Sequence, residues 1–327
     1  MSHEVETMFY VGKTPWHGIG TELQDAPSTY DAIVAAKLDW TVSTYPMFYL
    51  DTQGSQQTCA SKAVIRDSDG RKLGEVGPRW TPLQNCKAFE WFDPFVTSGL
   101  ATLETAGSLF CGERIFILAK IKSDDDVIVK ESDDRVSRYV LLSNGHDGKL
   151  SVRVGFTPIR VVCNNTLGMA HKNNASRLLR IRHTKNVTDT LEQVREVMNL
   201  ANKEFESTSE QYRKLANTTI NANDLQKYVK LVFKKNSAVE SETEKETDDE
   251  LSRVEEKVTE LFETGIGANL SGVHGTLWGA YNAITEFLTW HRGRSQDRRL
   301  DQLWFGAAAT LSQKALHIGT DFAKLAA

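Results

Sequence analysis

The residues best suited to chemistry lie in one basic segment, Lys149–Lys185, which contains eight Lys and Arg and no Asp or Glu. The whole chain has 39 Lys and Arg against 43 Asp and Glu, so this segregation is its strongest compositional signal. Phosphate binding requires Lys and Arg side chains along one surface, with amides and hydroxyls as supplementary donors. The segment therefore predicts a local binding site for a polyanion.

Several residues of this segment have distinct candidate roles. The side chains that would neutralise phosphates are those of Arg153, Arg160, Lys172, Arg177, Arg180, Arg182 and Lys185. Neutral hydrogen bonds would come from Asn164, Asn165 and Thr166, and Phe156 offers a ring on which a base could stack. If Ser151–Val162 forms a strand pair, Arg153 and Arg160 emerge on a common side of the sheet.

The same composition has explanations that need no ligand. The basic face could pair with acidic helices of the second half, or with the run Glu240–Glu250, which has seven acids and one Lys. Such a run is typical of a solvated linker, and it could also mimic nucleic acid or inhibit the basic segment. A second basic group, His291–Arg299, would either extend the binding surface or serve as a solvated connector.

Covalent catalysis is the alternative chemistry. Cys163 could act as a nucleophile with His146 or His171 as its base, because such partners meet in space and not in sequence. A single Cys within an apolar run is more often a small buried hydrophobe. His146 and Asp147 could also join a distant metal ligand, but a polar turn at residues 144–148 explains both residues more simply.

Motifs of the common cofactor-dependent classes are not found in the sequence. No His or Cys spacing indicates a metal site, and no GxSxG motif indicates a hydrolase. The stretch Gly145–Leu150 has two residues between its glycines where a phosphate-binding P-loop has four. We therefore expect no cofactor and no metal, and the pattern argues against an enzyme. Four scattered cysteines and the absence of a long apolar run predict a cytoplasmic protein with no membrane partner.

The elements that must position these residues are β-rich at first. Runs rich in β-branched and aromatic residues predict strands at 40–50, 58–66, 113–121, 126–130, 137–143 and 150–156. Helical spacing of apolar residues predicts a helix within 81–96, and Asn165 is expected to open a short helix. Because strands come first and helices later, the fold class is α+β with a mostly antiparallel sheet.

From Asn186 onward the apolar period is helical. A heptad seam on one long helix comprises Val187, Leu191, Val194, Met198, Ala201, Phe205, Thr208, Tyr212 and Leu215, and it is expected to pack on its own domain. Further helices are predicted at 224–235, 248–263, 275–292 and 300–323. We therefore predict a β-rich α+β domain at 1–185 and an all-helical region at 186–327, with an acidic linker at about 236–250.

Six ordered motifs carry a family resemblance. They are TPWHGIGTEL, LGEVGPRWTPLQN, LLSNGHDG, FTPIRVVCNNTLGMA, IRHTKN and the C-terminal GTLWGAYNAITEFLTWHRGR with LWFGAAATLSQKAL. Together they resemble the phage/plasmid-like protein family, a bacterial domain of unknown function carried on phages, prophages and plasmids. The resemblance spans nearly the whole chain. One departure is Trp80, which stands where the family pattern has Tyr and keeps the position aromatic.

The resemblance implies a class of function. Mobile elements of this kind commonly encode recombination, replication or counter-defence proteins. A β-rich half followed by helices also resembles single-strand annealing proteins such as RecT and Red-beta. Those proteins form rings or filaments and hold single-stranded DNA in a basic groove without ATP or metal. The implied function is a phage- or plasmid-encoded, ATP-independent, single-stranded DNA-binding and annealing oligomer in the cytoplasm of a bacterial host.

A second hypothesis is an interaction protein that counters a host defence system. Its partner would be a host or phage protein, and nucleic acid would play no part. The heptad seam and the acidic run Glu240–Glu250 would then be its working surfaces.

Overall fold

The computed structural model describes residues 5–12, 20–122, 126–129, 134–160, 165–166, 179–193, 198–234, 244–292, 302–304 and 306–326. The chain forms two compact units, and neither is continuous in sequence. Unit 1 comprises Met1–Ser123, Tyr139–Phe156 and Asn174–Leu200, and unit 2 comprises Asp124–Arg138, Thr157–Asn173 and Ala201–Ala327. The domain boundary predicted at residue 185 follows a change in composition and stays a prediction.

Most of the described strands belong to one large sheet. The strands are β1 (Val5–Val11), β2 (Thr21–Leu23), β3 (Val42–Leu50), β4 (Gln56–Arg66), β5 (Lys72–Val76), β6 (Ala101–Leu109), β7 (Arg114–Ile121), β8 (Asp126–Val129), β9 (Asp134–Gly145), β10 (Val152–Arg160), β11 (Asn165–Thr166) and β12 (Leu179–Ile181). The large sheet has the order β11-β10-β9-β7-β6-β1-β2, with β12 beside β10 and β8 beside β9. The sheets are mostly antiparallel, as predicted, although β1 and β2 pair in parallel.

The core of unit 1 lies between this sheet and short helices. The helices are α1 (Thr29–Ala35), α2 (Asn85–Glu90), α3 (Asp93–Thr97) and α4 (Val187–Gln193). Ser28 caps α1, because its hydroxyl accepts from the backbone N–H of Asp31 at 3.1 Å. The fully buried Trp91 donates its indole N–H to the carbonyl of Leu191 at 2.8 Å and thereby ties α4 to the core.

A smaller sheet in the order β3-β4-β5 also belongs to unit 1. Its own core is small, formed by Val42, Val64, Leu73 and Val76. Arg66 at the end of β4 is almost fully buried and pairs with Glu6 of β1 at 2.9 Å and with Asp69 at 2.7 Å. The ion pairs keep this buried guanidinium compensated, which is the condition for tolerating a charge away from water.

The remaining helices are long and belong mainly to unit 2. They are α5 (Met198–Ala216), α6 (Ala222–Phe233), α7 (Glu244–Thr264), α8 (Leu277–Glu286) and α9 (Ala307–Leu325), and a π-helical turn (Phe287–His291) extends α8. Every residue of α8 is buried, which is typical of a helix enclosed on all sides by its domain. Gly279 is required there, because a Cβ would lie 2.4 Å from the carbonyl oxygen of Val273.

Three expectations for the second half can be compared with these helices. The seam is carried by two described helices, α4 and α5, and its described members Val187, Leu191, Phe205, Thr208, Tyr212 and Leu215 are buried. The acidic run enters α7, which begins at Glu244, and residues 235–243 lie outside the described part of the chain. Among the described helices, none is long and apolar enough to cross a lipid bilayer.

Candidate nucleic-acid interface

Strands β10 and β12 position the basic residues of unit 1. In their antiparallel register, Arg153 lies directly opposite Arg180, and Val152 lies opposite Ile181. Side chains alternate between the two faces of a sheet, so the two arginines share one face. On the other face, Val152 and Ile181 are buried in the core. The core therefore fixes the register that brings the two cations together.

Two further cations continue this basic face after β12. Arg180, Arg182 and Lys185 are exposed, whereas Arg153 is half-buried. Among the described residues, no carboxylate forms an ion pair with Arg180, Arg182 or Lys185. We refer to Arg153, Arg180, Arg182 and Lys185 as the basic strip.

The structure brings together only part of the predicted site. Val152–Arg160 is one continuous strand and not the strand pair expected for Ser151–Val162, and the side chain of Arg160 lies outside the described part of the structure. Phe156 is partly buried and packs against the core of unit 1. Asn165 and Thr166 form strand β11 beside β10, so Asn165 begins a strand and not the expected helix. Asn164, Lys172 and Arg177 lie outside the described residues, as do Cys163 and His171.

His183 anchors the exposed end of the basic strip. Its backbone carbonyl accepts from the N–H of Thr81 at 3.1 Å, and its Nδ1 donates to the carbonyl of Thr81 at 3.2 Å. The ring of Trp80 stacks on the imidazole with 4.8 Å between centroids. Because His183 is buried between Arg182 and Thr184, these contacts hold the neighbouring cations at a fixed position on the surface.

A polar cluster lies inside unit 1 behind this anchor. Asn85 at the start of α2 donates its side-chain amide to the carbonyls of Leu38 at 3.0 Å and Trp40 at 3.3 Å. Its Oδ1 therefore accepts from Nε2 of His146, which is 2.9 Å away. Asn144 donates in the same way to the carbonyl of Leu83 at 2.9 Å. The bonds join strand β9 to the segment that carries Trp80.

The two buried imidazoles of the cluster are neutral at pH 7. Burial, with a smaller contribution from the charge of His183, lowers the pKa of His146 to about 3. Burial also lowers the pKa of His183, although the carbonyls of Thr81 and Leu150 and the Asp147 carboxylate oppose that shift. A ring with a pKa of about 3 is a weak base at neutral pH, so His146 does not suit the role of general base for Cys163.

Four atoms of the cluster have no hydrogen-bond partner among the described residues. They are Oγ of Ser143, Oδ1 of Asn144, Nδ1 of His146 and Nε2 of His183. Three of the four are acceptors in these protonation states, so the cluster suits hydrogen-bond donors such as buried water. Within the described residues, no group of His, Cys, Asp and Glu is arranged to hold a metal ion.

Asp147 closes the turn that follows the cluster. Its Oδ1 accepts from the backbone N–H groups of Lys149 at 2.9 Å and Leu150 at 3.2 Å, and its Oδ2 accepts from Nη2 of Arg114 at 3.2 Å. A turn follows β9 here, but it covers residues 146–149, because Asn144 and Gly145 of the turn predicted at 144–148 still pair with β7. Gly74 packs against it so closely that a Cβ would lie 2.6 Å from the Asp147 backbone.

No part in the site was predicted from the sequence for Trp80, Asn85 or Asn144. Their signal was nevertheless present, because they lie in the motifs LGEVGPRWTPLQN and LLSNGHDG. The third motif to reach the cluster, IRHTKN, contributes His183. Three segments that are far apart in sequence thus meet at one buried cluster beneath the basic strip.

Comparison with known proteins assigns the family of the chain. The family model for a domain of unknown function, DUF932, matches residues 72–304. The chain belongs to the DUF932 family. Searches among curated proteins and among solved structures each gave no match. The DUF932 match covers the polar cluster and the basic strip, and it begins after strands β3 and β4.

Proposed function

We propose that this DUF932 protein binds single-stranded nucleic acid through the basic strip and anneals complementary strands without ATP. The observation that carries the proposal is the position of the half-buried Arg153 directly opposite the exposed Arg180 on one face of β10 and β12. Arg182 and Lys185 extend the same positive surface. A row of cations held by a rigid core is what backbone recognition requires, because phosphates are contacted without reading the bases.

The net charge of the chain makes the location of this strip important. A chain with a formal net charge of −4 repels nucleic acid at long range, so binding depends on a local concentration of cations. The strip supplies that concentration, and the anchor at His183 reduces the conformational entropy lost on binding. Copies of the protein lying side by side on one strand would give the oligomer that annealing proteins form.

The origin of the protein is part of the same proposal. The motifs resemble a family carried on phages and plasmids, and annealing of single strands is a step in the recombination of such elements. The competing proposal of a defence-countering interaction protein would use the heptad seam as a working surface. The described residues of that seam are buried, so this surface does not favour the alternative.

Fluorescence anisotropy with a labelled single-stranded oligonucleotide, measured over a range of salt concentrations, tests the proposal. For single strands, each lost phosphate contact reduces the slope of log affinity against log salt by about 0.7. Arg180→Ala and Arg182→Ala should each weaken binding of every sequence and reduce the slope by about this amount. Arg71→Ala is the matched control, because Arg71 is exposed in unit 1 and lies outside the strip.

Two outcomes separate the proposal from its competitor. Reduced slopes for both strip variants and an unchanged slope for the control support binding by the strip, and an annealing assay with complementary oligonucleotides follows. If wild-type protein does not bind single strands at low salt, where electrostatic affinity is strongest, the proposal is wrong. Equal slopes for wild type and both strip variants would also reject it.

A further inference from the structure

The hairpin of β3 and β4 extends beyond the rest of its sheet. Strand β5 pairs with β4 only between Lys62 and Ile65. Residues 45–61 therefore form a ribbon of two strands, with Tyr45 paired to Ala63 near its base and Leu50 to Gln56 near its tip. A hairpin of two strands alone is at best marginally stable in water, so a projecting ribbon gains stability from a partner.

The ribbon displays large apolar side chains on both of its faces. The exposed fractions are 51% for Tyr45, 50% for Phe48, 55% for Tyr49 and 71% for Leu50. Phe48 and Tyr49 are consecutive in a strand, so they point to opposite faces. A large side chain of this kind has a surface of about 150–250 Å². At the exposed fractions given above, the four side chains together expose about 400 Å². That is about half of what one partner contributes to a standard protein interface.

The tip of the ribbon is ordered by its own hydrogen bonds. Oδ1 of Asp51 accepts from the backbone N–H groups of Gln53 and Ser55, each at 2.9 Å, and Oδ2 accepts from the side-chain amide of Gln57 at 3.0 Å. These bonds, led by that from Gln57, lower the pKa of Asp51 and keep it ionised. The exposed side chains are therefore presented on a preformed strand, which lowers the entropic cost of binding.

The outer edge of β3 has no pairing strand among the described residues. Natural edge strands prevent pairing with another chain by charges such as Lys, by Pro or by bulges. Pro46 and the register shift that follows it protect the inner half of this edge, whereas residues 47–50 have no such protection. Strand β3, Val42–Leu50, contains no Lys, Arg, Asp or Glu. An uncharged strand does not attract a polyanion, and it does not repel a copy of itself. This favours a second protein chain over nucleic acid as the partner.

We infer that the outer part of β3, residues 47–50, is a self-association edge, on which the same segment of a second copy of this chain pairs antiparallel. A two-fold axis makes such a pairing self-complementary, because each chain contributes the same strand. The aromatic side chains of the two ribbons pack on each other, and the strand backbones supply the remaining contacts. This pairing requires no nucleic acid, so it can hold or fail independently of the function proposed for the basic strip.

Sedimentation velocity of the full-length protein, without nucleic acid and over a range of concentrations, tests this inference. The wild-type chain, of 36.6 kDa, should sediment with at least twice its monomer mass at high concentration. Phe48→Lys places a charge against its own copy across the axis, so it should sediment as a monomer at the same concentration. Tyr30→Lys is the matched control, because Tyr30 is 74% exposed on α1, and it should keep the wild-type mass.

Hydrogen exchange on the wild-type protein provides a second measurement that needs no variant. Those backbone amides of residues 47–50 that do not bond to β4 should exchange more slowly in concentrated protein than in dilute protein, because pairing occupies them. A wild-type chain that stays monomeric at every concentration overturns the inference, and so does a Phe48→Lys protein of wild-type mass. If Phe48→Lys instead loses single-strand binding with no change in mass, the ribbon is a base-stacking platform and the inference is wrong.

Discussion

Nε2 of His146 and Oδ1 of Asn85 are 2.9 Å apart in the interior of unit 1, and this hydrogen bond determines which imidazole nitrogen carries the proton. Asn85 can only accept at Oδ1, because its amide nitrogen donates to the carbonyls of Leu38 and Trp40. His146 is therefore held as the Nε2–H tautomer. The pair connects α2, the turn after β9 and the segment before β3, so its loss affects three parts of the sequence.

Replacing Asn85 tests how much this bond contributes to stability. Asn85→Ala leaves the N–H of His146 and the carbonyl of Leu38 without partners in a buried site. Each such loss costs about 1–3 kcal/mol, so we expect the free energy of unfolding to fall by about 3 kcal/mol in urea titrations. Asn217→Ala, at an exposed position after α5, should change it by less than about 0.5 kcal/mol. Equal stability of the two variants would show that the bond contributes little.

The two buried histidines predict a specific dependence of stability on pH. The pKa of His146 is lowered from 6.5 to about 3 in the folded chain, so the unfolded chain binds a proton that the folded chain does not. Its contribution is fully present above pH 6.5 and is lost as the pH falls toward 3. Between pH 7 and pH 5 this amounts to about 2 kcal/mol for His146 alone. The lowered pKa of His183 acts in the same direction.

Urea unfolding of wild type and His146→Gln at both pH values measures this effect. The variant should be less stable than wild type at pH 7, because Gln fits the site poorly. It should lose less stability than wild type between pH 7 and pH 5, since one of the two titrating groups is gone. Asn217→Ala is the control, because this exposed residue after α5 does not titrate and should leave the wild-type pH dependence unchanged. Parallel pH profiles for wild type and His146→Gln would contradict a depressed pKa at this site.

Local patterns explain what the sequence could reveal about the fold. The strands around Val64, Ile117 and Leu142 were predictable, because runs of β-branched and aromatic residues have strong local signals. Asn165 was misassigned because its helix-capping preference was overridden by pairing with β10. Strand β6 was not predicted, because ATLETAGSL consists largely of small and polar residues and has no strong local strand signal. It forms a strand because it pairs with β1 and β7.

Of the candidate site, only the positive charge could be predicted from the sequence. The segregation of Lys and Arg identified Arg180, Arg182 and Lys185 directly from composition. Nothing local indicates that Asn85 meets His146, because the two residues are 61 positions apart and their contact depends on the complete sheet. Likewise, Arg153 and Arg180 lie opposite each other only because β10 and β12 pair in this register. The spacing of the two residues along the chain does not predict that pairing.

The stacking of Trp80 on His183 makes it possible to change how firmly the basic strip is positioned without changing its charge. Trp80→Ala removes the ring that holds His183, so residues 182–185 become free to move while all four cations remain. Aromatic contacts of this kind are worth about 0.5–1.5 kcal/mol. We therefore expect single-strand affinity to fall by about two- to tenfold, with the salt slope unchanged because the number of phosphate contacts is the same.

Arg182→Ala and Trp80→Tyr provide the two comparisons that this prediction needs. Arg182→Ala removes a charge and should lower the slope, whereas Trp80→Ala should lower only the affinity. Trp80→Tyr keeps an aromatic ring at the position, so it should retain most of the wild-type affinity. Amide exchange at residues 182–186 should accelerate in Trp80→Ala and stay slow in Trp80→Tyr. If Trp80→Ala is folded and binds as tightly as wild type, the cations of the strip do not depend on the His183 anchor for their position.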